Sequence, residues 1–132
     1  MPFTYTAVDT LQNTPLVGGG DCVDLIKELA PGLRGRPTSS WKPGALVIDS
    51  PGLRRGTAIA TFVDGRYPNN RTGQHAAFFL ARAGAGFWVM DQWRADGRKP
   101  RVSKRYIAPG AMTGVHSNLS NRADAFYVIE LR

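Results

Sequence analysis

Residues 75–93 contain two apolar segments, HAAFFLA and FWVMDQW, on either side of a small-residue turn at 83–86. Segments of strand length flanking a short glycine-containing turn predict an antiparallel hairpin, and two strands this apolar must be covered by further structure. Four other segments are placed to extend the sheet. They are the apolar run after Trp41-Lys42-Pro43-Gly44, ending at residue 48, and residues 56–62, 105–107 and 124–131. Helical spacing is clearest near the N-terminus, where Cys22, Leu25, Ile26 and Leu29 fall at i, i+3, i+4 and i+7. Asp21 precedes them as an N-cap and Pro31-Gly32 ends the run. Before that helix stands Gly18-Gly19-Gly20, which permits backbone shapes closed to other residues and close approach by a neighbour. The expected fold is α+β: one domain over residues 1–132, with an N-terminal helix carrying the cysteine packed on a mainly antiparallel sheet. The basic stretch 94–104 is expected to run over the surface.

A chain of 132 residues with 42% hydrophobic residues can bury a core of this kind, and no stretch nears the roughly 18 apolar residues of a membrane span. The N-terminal MPFTYTAVDTLQNTPL lacks the basic start and apolar core of a secretory signal, so export is expected to use another route. The single cysteine excludes an intramolecular disulfide and any multi-cysteine zinc site, which leaves Cys22 as either an inert core residue or a functional thiol. A formal net charge of +7 implies a polyanionic partner. Nucleic acid and the carboxylate-rich bacterial cell wall both answer that description.

For Cys22 the helix start matters, because free N–H groups and the positive end of the helix dipole favour a thiolate. A cysteine hydrolase also needs a histidine beside the thiolate and a polar group to orient the imidazole. The chain has two histidines, His75 at the start of a core strand and His116 in a polar stretch. The partner strand carries Asp91 and Gln92, whose side chains must point to opposite faces, so only one of them faces His75. Asp91 interrupts an apolar strand, and a buried carboxylate needs a partner: the histidine, or one of the many arginines.

Taken in order, Gly-Asp-Cys at a helix start, Trp41-Lys42-Pro43-Gly44, Gly73-Gln74-His75-Ala76-Ala77 and Asp91-Gln92-Trp93 resemble the NlpC-type papain-like cell-wall hydrolases. More narrowly, GTAIATF, GRYPNN, GQHAAFFL and MDQW resemble the second family of type VI secretion amidase effectors, over roughly residues 18–110. That resemblance implies Cys22 as nucleophile, His75 as general base and then acid, and Asp91 as orienter. Gln92 and Asp21 are further orienting or oxyanion candidates, the Cys22 N–H contributes to an oxyanion hole, and Trp41, Arg66 and Tyr67 are candidates for the cleft border, with a purely structural turn as the alternative for Arg66 and Tyr67. It further implies hydrolysis of peptidoglycan stem-peptide amides, at the D-alanine to meso-diaminopimelate crosslink, with no metal or other cofactor. Delivery by a secretion apparatus into a target periplasm and a cognate immunity protein go with it. The alternatives are a γ-D-glutamyl to meso-diaminopimelate endopeptidase of housekeeping or phage origin, and a non-catalytic wall-binding or nucleic-acid-binding module. No recognised nucleic-acid motif supports the last.

Overall fold

The computed structural model describes residues 2–68, 73–94, 97, 99–109 and 119–132. Among these residues are one α-helix, α1 (Cys22–Leu29), and six strands: β1 (Trp41–Leu46), β2 (Ala58–Thr61), β3 (Ala76–Ala83), β4 (Gly86–Asp91), β5 (Ser103–Ile107) and β6 (Phe126–Leu131). The strands form one sheet in the order β1-β6-β2-β3-β4-β5, and every neighbouring pair is antiparallel.

Strand alternation divides the core between the two faces of this sheet. Ala76, Phe78, Leu80 and Met90 share one apolar cluster with Leu25 and Ile26 of α1, while Ala77, Phe79, Phe87, Val89 and Phe126 form another. An eight-residue helix is marginal in isolation, so α1 depends on the burial of Leu25 and Ile26 against the sheet. Its N-terminus is closed by a capping box, in which the Asp24 carboxylate accepts from the Asp21 N–H at 3.4 Å.

Several expectations need correction. The first strand begins at Trp41 and contains Pro43 and Gly44, rather than starting after them, and the run at 47–49 is a 3-10 turn. Proline is tolerated because β1 is an edge strand whose register with β6 shifts between Pro43 and Leu46. The last strand starts at Phe126, after a 3-10 turn at Ala123–Ala125. The basic stretch after Arg94 does not simply skirt the surface: Lys99 and Val102 are buried. The cause is the buried Asp91 carboxylate, which draws cations inward.

Candidate active site

The start of α1, the residue that leads into β3 and the end of β4 meet at one point. Gly20, with a φ of +93°, turns the chain into the helix, and Cys22 follows as its first residue, partly buried. Gln92, fully buried just beyond β4, holds this approach in place. Its side-chain oxygen accepts from the Val17 N–H at 2.8 Å, and its Nε2 donates to the carbonyls of Val17 at 2.9 Å and Asp21 at 2.7 Å. Three bonds from one buried amide to two backbone positions leave the loop little freedom next to the thiol.

His75 is held as firmly. Gly73, at a φ of +93°, supplies the turn before it, and Thr61 of β2 grips its backbone. The Thr61 hydroxyl accepts from the His75 N–H at 3.0 Å, and the Thr61 N–H donates to the His75 carbonyl at 2.9 Å. The ring stands edge-on to Trp93 and Phe126, with centroids 6.0 and 6.5 Å away.

His75 Nε2 donates to Asp91 Oδ2 at 2.7 Å, which leaves Nδ1 as the ring nitrogen open to Cys22, whose charge acts on the imidazole. Asp91, fully buried, also meets Arg105 Nε at 2.9 Å on Oδ2 and Lys99 Nζ at 2.8 Å on Oδ1, the latter an ion pair rather than an aligned hydrogen bond. The alternatives weighed for this carboxylate, a histidine or an arginine, are thus both present on one oxygen. Tyr67 places its hydroxyl 3.8 Å from the Cys22 sulfur.

The charges reinforce one another. Burial pushes the Cys22 thiol up, but His75, the Ala76 N–H and the Tyr67 hydroxyl together bring it below its ordinary value. Burial disfavours the His75 cation, yet the Cys22 and Asp91 charges outweigh that and push its pKa up to about 9. Burial also opposes ionisation of Asp91, but its bond to His75 and the charges of His75, Arg105 and Lys99 hold it well below the usual carboxylate range. The arrangement therefore favours a thiolate–imidazolium pair backed by a carboxylate.

Because the Cys22 thiolate holds the His75 proton, Cys22→Ala is expected to lower the His75 titration midpoint from about 9 toward the ordinary value of about 6.5. An NMR titration of the ring resonances checks this, with a midpoint unchanged by the substitution as the contrary result. By linkage, the raised value adds stability that is complete below about pH 6.5 and is lost as the pH rises through about 9.

The remaining candidates occupy other places. Asp21 caps the helix, and its half-exposed carboxylate meets Arg94 Nε at 3.4 Å. Trp41 is buried, with its ring 5.3 Å from that of Tyr67 in an edge-to-face contact. Arg66 is exposed on the wall of a cleft also lined by Thr38, Ser39, Trp41, Tyr67 and Arg132, and Tyr67 connects that cleft to the thiol. His116 lies outside the described residues. Among the described residues, no group of three or more His, Cys, Asp or Glu side chains is placed to hold a metal, and no helix is long and apolar enough to cross a membrane.

Sequence reasoning missed Thr61, Lys99 and Arg105. Lys99 and Arg105 lay among many basic residues with nothing to single them out. The buried Asp91 was the signal that some of those cations had to fold inward.

Comparison with known proteins matches residues 6–129 to the family described as Domesticated amidase effector 2. A relative named type VI secretion amidase effector 2 protein, from Salmonella typhi, is 45% identical over 98% of this chain and 100% of its own. A second, named domesticated amidase effector 2, from Ixodes scapularis, is 40% identical over 84% of this chain and 71% of its own. A solved structure of a type 6 secretion amidase effector 2 superposes with a TM-score of 0.86 at 44% identity, covering 98% of this chain and 95% of that one.

Proposed function

We infer, because this chain belongs to the Domesticated amidase effector 2 family, that it is an amidase effector that cleaves peptidoglycan stem peptides through Cys22. The observation that carries the reading is that Cys22, the first residue of a helix, interacts electrostatically with His75, whose Nε2 is bonded to the buried Asp91 carboxylate.

The mechanism follows from the chemistry of these groups. The Cys22 thiolate attacks the scissile carbonyl, and the new C–S bond forms as the carbonyl oxygen takes negative charge. Two donors beside the sulfur are suited to that charge: the N–H of Cys22, one of the helix-start groups without a partner in the helix, and the Tyr67 hydroxyl, 3.8 Å from the sulfur. His75, oriented by Asp91 at Nε2, passes its Nδ1 proton to the departing amine. Water, activated by the now neutral imidazole, then hydrolyses the thioester and releases Cys22.

Substrate and setting rest on three supports. The net charge of +7 draws the chain to an anionic wall polymer. Arg66 and Arg132 line one cleft that Tyr67 connects to the thiol, and their guanidinium groups suit the free carboxylates of stem peptides. The end-to-end match to the Salmonella protein, against the shorter match to the tick protein, favours an effector delivered by a secretion apparatus and neutralised by an immunity protein. The bond we favour is the D-alanine to meso-diaminopimelate crosslink. The alternative is the γ-D-glutamyl to meso-diaminopimelate bond, which digestion products separate.

Digestion of purified Gram-negative peptidoglycan by wild type and by Cys22→Ala, read by chromatography and mass spectrometry, tests the reading. Loss of crosslinked dimers with wild type alone is expected. Loss of uncrosslinked tetrapeptide stems without loss of crosslinks would move the assignment to the alternative bond, and muropeptides unchanged by folded wild type would remove the enzymatic reading. Arg66→Ala is expected to raise KM roughly fivefold with kcat little changed, the worth of one exposed charge-assisted contact of about 1 kcal/mol. An unchanged KM would take Arg66 out of the substrate cleft.

A further inference from the structure

Asp91 has more cationic partners than an orienting carboxylate requires. His75 Nε2 and Arg105 Nε share Oδ2 at 2.7 and 2.9 Å, while Lys99 Nζ takes Oδ1 at 2.8 Å. Neither cation is a loose surface group. Arg105 also donates to the Ser120 carbonyl and to Asn121 Oδ1, each at 2.9 Å. Lys99 is buried and also donates to the Ser103 carbonyl at 3.2 Å. Both lie over the Trp93 ring, 4.9 Å from its centroid for Lys99 and 5.3 Å for Arg105. Trp93 in turn stands edge-on to His75. Two tethered cations, one aromatic plate, the carboxylate and the imidazole thus form one connected unit.

The reaction gives this surplus a purpose. His75 must hold a proton beside the Cys22 thiolate and then surrender it to the leaving amine. Two anions on one imidazolium, Cys22 at Nδ1 and Asp91 at Nε2, would bind that proton too tightly for prompt transfer. The groups that face His75 are Cys22 from α1, Tyr67 behind the sulfur, Asp91 from β4, and the apolar rings of Trp93 and Phe126. Relief is supplied through Asp91. We propose that Lys99 and Arg105 are positioning residues for the His75–Asp91 pair: they fix the rotation of the carboxylate, take part of its charge and weaken its hold on the imidazolium proton.

The proposal rests on the catalytic reading of Cys22 and His75, and its test separates the two. The ring resonances of His75 are titrated by NMR in wild type, Lys99→Met and Arg105→Met, alongside the pH dependence of peptidoglycan hydrolysis. Each loss of a cation is expected to raise the His75 midpoint by about half a unit or more. The basic limb of kcat should move up with it and kcat should fall, while KM stays within about twofold, because neither residue lines the Arg66–Tyr67 cleft. Lys99→Arg should restore the wild-type midpoint. Lys99→Gln keeps a polar side chain but removes the charge, so it should shift the midpoint as Lys99→Met does, and it serves if the methionine variant fails to fold. A folded Lys99→Gln or Arg105→Met with wild-type midpoint and basic limb overturns the proposal. A His75 midpoint indifferent to Cys22→Ala in the otherwise wild-type protein sinks the underlying ion pair instead.

Discussion

His75→Ala is expected to lower peptidoglycan cleavage by about 10⁴-fold or more, close to the effect of removing Cys22 itself. The two residues act as a unit. Without the imidazolium, the partly buried thiol loses the charge that does most to lower it, and the burial that pushes it up is opposed only by the Ala76 N–H and the Tyr67 hydroxyl. The amine also loses its proton donor, so both the attack and the departure slow. Steady-state hydrolysis checks the size of the loss, and the alkylation rate of Cys22 by iodoacetamide near pH 6.5 should fall as well. A loss of less than about 100-fold in hydrolysis, with alkylation unchanged, would assign the proton transfers to another group.

Asp91→Ala is expected to be the most destabilising single change in the site, at about 3 to 5 kcal/mol. The deleted carboxylate matters less than the groups it leaves behind: Lys99, 8% exposed, and Arg105 lose their counter-charge in a desolvated setting. Against a typical stability of about 5 to 15 kcal/mol this is a large share, and it should appear as a Tm lower by roughly 10 to 20 °C. The sign with pH follows from the depressed value of Asp91. Its stabilisation is present above the unfolded value of about 3.9 and is lost as the pH falls through the lower folded value, so the deficit of Asp91→Ala should be full at neutral pH and shrink in acid. Denaturant unfolding at pH 7 decides: a difference under about 1 kcal/mol would mean that the two cations find other partners.

Gln92 is the sharper lesson about reading a site. The alternation of strand residues placed Asp91 and Gln92 on opposite faces, which was legible before any coordinates. Which face His75 occupies was not, because the turn at Gly73 and the grip of Thr61 set it. With Asp91 on the histidine, Gln92 is free to clamp Val17 and Asp21, residues some seventy positions earlier in the chain. No local pattern encodes a contact of that separation.

By itself the amino-acid order determined the helix with Asp21 as its cap, the 75–93 hairpin and the α+β class, and it offered Cys22 and His75 as candidates with Asp91 or Gln92 beside them. These follow from short-range causes: hydrophobic period, capping chemistry, turn residues and the scarcity of cysteine and histidine. Only the tertiary structure decided the start of β1, the grip of Thr61 on His75, the Gln92 clamp and the inward folding of Lys99 and Arg105. Each of these satisfies a buried polar group across a long stretch of chain. The sequence shows that such a group needs a partner, but the choice among many chemically equivalent partners is made by which of them the sheet order brings within about 3 Å.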